Sequence, residues 1–177
     1  MNLDLSEWSL VKNVFSKAQK ANMHVNIASV SIEGIPNVTP IGTVFLNDDG
    51  TGFLFDSFSK QLAENLQTNN NICISAVNSS KLFWLSSFIQ GQFSSYPGVR
   101  LYGELGDLRP ATQEEKLKVN RRIQSLKWTK GSKFWVRVVI LSGAFYRLKL
   151  GFRALSGFLS CCFYANMWLY CDHYYVK

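Results

Sequence analysis

The sequence has little of what most enzymes build their chemistry from. It holds two histidines, His24 and His173, and neither stands beside a nucleophile in a recognisable hydrolase setting; His24 opens a strand and reads as structural. No G-x-G-x-x-G, G-x-x-x-x-G-K-[ST] or H-E-x-x-H occurs, which excludes the usual dinucleotide, P-loop and zinc-protease readings. Four cysteines, Cys73, Cys161, Cys162 and Cys171, form no C-x-x-C pair, so zinc-ribbon and thioredoxin-type readings fall away and reduced thiols are expected. Cys161 with Cys171-Asp172-His173 is a conceivable metal set, but buried or tail cysteines are the plainer reading and no metal is expected. Internal repeats and low-complexity tracts are absent. The start lacks the cationic-then-apolar pattern of a secretory signal, since Met1 to Ser9 carries Asp4 and Glu7 and no base, and a cytoplasmic protein is expected.

Charge is scarce over most of the chain. Residues 1–110 hold 7 Lys+Arg against 9 Asp+Glu, and residues 111–177 hold 12 against 3, so the net +7 belongs to the C-terminal third. At 47% hydrophobic residues and 177 positions, the chain is too apolar for global disorder and long enough for one domain with an ordinary core.

Periodicity supplies the elements. Trp8, Val11, Val14, Phe15 and Ala18 recur at helical spacing within Ser6–Lys20, predicting an amphipathic helix. From Met23 the period becomes two. A strand from Val25 turns at Glu33-Gly34 into a second, Ile35 to Leu46, and Asn47-Asp48-Asp49-Gly50 leads into a third, Phe53 to Phe55, together predicting an antiparallel meander. Leu62, Ala63 and Leu66 predict a helix with Ser59 as N-cap, ending in the Asn69–Asn71 run. Strands are expected over Ile72–Val77, Lys81–Phe88, Val99–Leu108 and Phe134–Leu150, and Thr112-Gln113-Glu114-Glu115 reads as a capping box opening a basic helix to about Leu126. The whole predicts a mainly β, α+β fold: a six- to seven-stranded antiparallel barrel with flanking helices.

The local feature with a physical logic for a ligand is Asp56-Ser57-Phe58-Ser59-Lys60, which ends a strand and opens a helix. Hydroxyls at Ser57 and Ser59, helix-start amides and the Lys60 ammonium suit a terminal phosphate. An ordinary serine N-cap with a solvated lysine explains the same residues.

Ser31 to Thr43 (SIEGIPNVTPIGT), Gly52 to Lys60 (GFLFDSFSK), Glu64-Asn65-Leu66 and Ile72-Cys-Ile-Ser75 succeed one another in an order that resembles the pyridoxamine 5′-phosphate oxidase-like, FMN-binding split-barrel family, over about residues 20–110 and through Phe134–Leu150. Periodicity and composition give an N-terminal helix over 1–22 and an apolar tail over 151–177, and between them the resemblance implies an FMN-binding split barrel over 23–150. It implies that Thr39, Pro40, Ile41 and Gly42 line the flavin ring, and that Asp56, Ser57, Ser59 and Lys60 belong to the phosphate end. A homodimer with FMN sites at its interface and hydride transfer between a small molecule and FMN are further implications. Trp84, Arg100, Trp128, Lys130 and Trp135 are candidates for the ring face or substrate pocket, with core packing as the alternative. The sequence departs from the family where Lys60 precedes Asn65-Leu66 by more than K-x-x-N-L spacing, where Gly98 takes the place of a glutamine, and at its C-terminal end. Pyridoxamine phosphate is therefore not assigned as substrate, and no catalytic acid or base is named.

A non-catalytic flavin or haem carrier or sensor on the same fold competes with the enzyme reading. Nucleic-acid binding through Lys116, Lys118, Arg121, Arg122, Lys127, Lys130 and Lys133 competes from another class, although a solvated helix face accounts for the same charges. Ala154 to Tyr170 is uncharged over 17 residues, the lower edge of membrane-spanning length, but Ser156, Gly157, Ser160 and Asn166 favour a packed segment over a span.

Overall fold

The computed structural model describes residues 5–55, 59–124 and 144–151. It contains helices α1 (Leu5–Asn22), α2 (Lys60–Leu66), α3 (Lys81–Gln90) and α4 (Gln113–Gln124). Its strands are β1 (Val25–Val30), β2 (Pro36–Ile41), β3 (Val44–Leu46), β4 (Thr51–Phe55), β5 (Asn71–Val77), β6 (Gly98–Pro110) and β7 (Ala144–Gly151). They form one antiparallel sheet in the order β2-β1-β5-β6-β7-β4-β3, a curled half-barrel, so the α+β split barrel expected from the sequence is present.

The core arises where two periodicities meet. The α1 stripe of Trp8, Val11, Val14, Phe15 and Ala18 is buried in one cluster with the inward alternate residues Val25 and Ile27 of β1, Ile72, Ile74 and Ala76 of β5, and Val99, Leu101 and Leu105 of β6. Full burial of each large apolar side chain contributes about 1.5–3 kcal/mol, so α1 is held by its face rather than by its own helix propensity. Polar ties hold its N-terminal half to the β3–β4 turn: the Trp8 indole N–H donates to Asn47 O (2.8 Å), and Lys12 pairs with Asp48. On the opposite face of β4, Phe53 and Phe55 pack with Val119 of α4. The capping box is formed, with Thr112 N–H donating to Glu115 Oε2 (2.9 Å) and Glu115 N–H to Thr112 Oγ1 (3.3 Å).

Two expectations are corrected. The strand read over Ile35–Leu46 breaks at Gly42-Thr43, and its halves lie at opposite edges of the sheet, so the first strands are two hairpins and not a meander. Thr43 is captured by β4, its hydroxyl donating to Phe55 O (2.5 Å) and its carbonyl accepting from Phe55 N–H (3.0 Å), which turns the chain away from β1. Lys81–Phe88 is not a strand but most of α3. Its neighbours Phe83 and Trp84 are both half-buried while Leu82 and Leu85 are exposed, a helical pattern that a strand's alternation cannot produce. Gly91 closes α3 in the left-handed region (φ 64°), where a glycine carries no Cβ penalty. The first part of the strand read over Phe134–Leu150 lies outside the described residues; its end is β7.

Candidate functional site

β2 is an edge of the sheet among the described residues, paired on one side only, with β1. Thr39 stands opposite Ile27 and Pro40 opposite Asn26, while Ile41 is buried in the core. Ile41 therefore offers a ligand its backbone and not its side chain. Gly42 is closely packed: a Cβ there would approach Met23 O to 3.0 Å, so a larger residue needs the Met23 backbone to give by a few tenths of an ångström. The corner after β2 is held by Gln19, which is 4% exposed and whose Nε2–H donates to Gly42 O (3.3 Å) and Val44 O (3.0 Å). Gln19 Oε1 in turn accepts from Arg122 Nη1 (3.0 Å), so one side chain joins α1, the β2–β3 corner and α4.

α2 packs against β1 and β2, the same edge of the sheet that carries Thr39–Gly42. Ser59 occupies the N-cap position without a side-chain capping bond, and Lys60 reaches outward, its side chain 90% exposed and 3.7 Å from Glu64. Asp56 and Ser57 lie outside the described residues. The Asn-Leu pair of the motif is structural here. Asn65 is buried and donates to the Ser29 hydroxyl (2.9 Å), receives Gln61 Nε2 (3.1 Å), and so pins α2 to the inner face of β1.

The remaining candidates separate. Trp84 belongs to α3, where its indole N–H donates to Asn78 O (2.6 Å) and its ring meets Phe93 edge-on (5.5 Å between centroids). Arg100 is exposed on the outer face of β6, and the registers Pro40↔Asn26, Asn26↔Ser75 and Ser75↔Arg100 place these four residues in one row across the sheet. Trp128, Lys130 and Trp135 lie outside the described residues. Asn26, Ser75 and Gln19 were not singled out from the sequence. Only Gln19 left a signal, as a polar residue four positions after Phe15, on the α1 apolar stripe.

A cavity of about 620 Å³ opens between the end of α2 and the β6 bulge, lined by Leu66, Thr68, Asn70, Asp107, Leu108 and Tyr146 among others. It presents no cation and contains none of the predicted site residues. The basic face expected on α4 is partly committed to packing, since the Lys118 ammonium lies over Phe53 (5.9 Å) and pairs with Glu114 (3.0 Å), and Arg122 lies over Phe45 (6.0 Å). Among the described residues no helix is long and apolar enough to cross a membrane, and no three His, Cys, Asp or Glu side chains group as a metal set.

FMN needs a cation and polar hydrogens for its phosphate and a backbone or apolar wall for its ring. Lys60 and Ser59 meet the first need and the β2 edge the second, on elements the fold packs together, so the residues present fit the group. A crystal structure of an FMN-binding protein from Syntrophomonas wolfei subsp. wolfei is similar at 13% identity, covering 83% of this chain and 86% of that one, with a TM-score of 0.56. HupZ of Group A Streptococcus (17% identity, 80% and 86% covered, TM-score 0.48) and HutZ, the haem storage protein of Vibrio cholerae (16%, 80% and 91%, 0.44), are also similar. No curated protein sequence matches. The sequence pattern described as pyridoxamine 5′-phosphate oxidase matches residues 17–140, more than half of the chain, and the chain accordingly belongs to the pyridoxamine 5′-phosphate oxidase-like split-barrel family.

Proposed function

We propose that the chain binds FMN and acts as an oxidoreductase of undefined substrate, passing a hydride between a small molecule and the flavin. The observation that carries this reading is the family match over residues 17–140, which spans both the β2 edge and α2. FMN, when bound, supplies the redox chemistry, and the protein supplies position and electrostatics. Lys60 holds the phosphate by its ammonium, which its present contact at 3.7 Å from Glu64 restrains little, and Ser59 adds a hydroxyl; Asp56 and Ser57 adjoin them in sequence. The backbone of Thr39 to Gly42 lines the ring, with the corner kept in place by Gln19.

The same reading makes the protein a homodimer. Val38, Tyr102 and Val77 are exposed on the outer face of the β2-β1-β5-β6 half of the sheet, beside the half-buried Ala28 and Cys73, and a second copy covering them would close over the Pro40–Arg100 row. The visible spectrum of the purified protein is the test. Flavin bands that bleach with dithionite and return in air support the reading, and a colourless protein that gains no absorbance with added FMN defeats it. A haem Soret band in their place would move the protein to haem binding. A monomeric mass in solution would remove the dimer.

A further inference from the structure

α3 presents an apolar face that nothing among the described residues covers. Leu82, Leu85, Phe88 and Ile89 are 79%, 57%, 76% and 77% exposed. At 3.6 residues per turn these four fall within about a third of the helix circumference. A helix facing water carries charge on that side, yet Leu82 to Gln90 contains no charged residue. The opposite side of α3 is already occupied, with the Phe83 ring stacked on Phe93 (6.0 Å), Trp84 bonded to Asn78, and the Ser87 hydroxyl donating to Phe83 O (2.8 Å). Clustered exposure of this kind marks a contact surface.

The direction of β7 selects the occupant. β7 runs antiparallel to β6 with Gly151 opposite Tyr102, so at Gly151 the strand points toward Gly98. Gly98 pairs with Val77, and α3 is the insertion between those two residues. Four strand residues separate Tyr102 from Gly98, about 13 Å, so the chain leaves β7 close to the end of the sheet that bears α3. The segment beyond β7 has matching chemistry: Ala154 to Tyr170 is uncharged and contains Phe158, Phe163, Met167 and Trp168. Ten such residues reach about 33 Å when extended, twice the roughly 15 Å length of α3. A tethered segment also competes at millimolar effective concentration, which a free partner does not reach.

We infer that residues 154–170 dock in cis on the Leu82, Leu85, Phe88 and Ile89 face of α3. The full-length chain carries its own probes for this, Cys161 and Cys162. Leu85→Cys and, separately, Phe88→Cys, both at exposed positions that the fold does not depend on, are oxidised mildly at low protein concentration and mapped by peptide mass. The expected result is a disulfide between the helix peptide and the tail peptide in a species of unchanged subunit mass, at a yield independent of concentration. Ile32→Cys, equally exposed on the β1–β2 turn, should not link. Failure of both helix variants to link would overturn the inference. So would links found only at doubled mass, equal linking by Ile32→Cys, or thiol protection that appears only with anionic lipid vesicles.

Discussion

Replacing Gln19 by leucine keeps most of a buried side chain's volume and removes everything polar that it does. The amide donates to Gly42 O and Val44 O and accepts from the Arg122 guanidinium. Two neutral hydrogen bonds contribute about 0.5–1.5 kcal/mol each and one to a charged group about 1.5–3 kcal/mol, so Gln19→Leu should lose about 3 kcal/mol of stability. With a urea dependence of about 2 kcal/mol per molar, the unfolding midpoint falls by about 1.5 M at unchanged slope. The partner variant Arg122→Met isolates the charged bond: the double-mutant cycle should return a coupling of about 1–2 kcal/mol between the two sites. Gln19→Leu costing under about 0.5 kcal/mol, the range of an inconsequential surface change, together with additive single variants, would refute the clamp.

Glu115 is buried enough to favour its neutral form, but its bonds to Arg109 and the Thr112 N–H outweigh that and hold its carboxyl below the ordinary 4.5. A depressed carboxylate contributes stability above its unfolded value and loses it as pH falls through the folded one. Glu115→Gln should therefore cost about 1 kcal/mol near neutral pH, discounting the partly exposed Arg109, with the gap to the parent closing as pH drops below 4.5; a gap constant with pH would exclude the ion pair as its cause. Lys60→Gln should weaken FMN binding about tenfold, one charge-assisted contact, in a flavin fluorescence titration, and an unchanged Kd would place the phosphate elsewhere. Gly52→Ala would bring a Cβ to 2.5 Å from Phe45 O. Overpacking against backbone costs about 1–3 kcal/mol, a melting temperature about 2–12 °C lower for a chain of this size, and an unshifted melting curve would show that β3 gives way freely.

What could be read from the sequence was what local chemistry determines. The α1 stripe, the Gly34 turn and the Thr112–Glu115 box each specify an element by residue type and spacing, and each formed. The sequence suggests a strand where α3 forms because Phe83, Trp84 and Phe88 carry strand propensity, while the helical signals, Ser80 at the N-cap position and Gly91 at the left-handed C-cap, mark its ends only. The break at Gly42-Thr43 was invisible for a different reason. It depends on Gln19 and Phe55, partners 23 and 12 positions away, and no local pattern reports a long-range capture. The proposed site inherits that limit: Thr39–Gly42 and Ser59–Lys60 are separate in sequence, and it is the packing of α2 on β1 and β2, a long-range contact, that relates their elements.

The strand order also has a kinetic meaning. β2-β1-β5-β6 forms one block and β4-β3 another, and among the described strands β7 alone bridges them by hydrogen bonds, with Phe55 waiting for Phe145 and Leu105 for Leu148. A growing chain can complete the first block once residue 110 is available, while the β3–β4 hairpin has no neighbouring strand to pair with and is tied by the Gly42-Thr43 corner, the α1 contacts and the burial of Val44 and Leu54 in the core. Closing so long a loop is entropically slow, which puts assembly in the millisecond-to-second range of non-local β folds. Until β7 arrives, both the β6 and β4 edges remain open, and that interval is when two chains are most exposed to pairing with each other instead of with themselves.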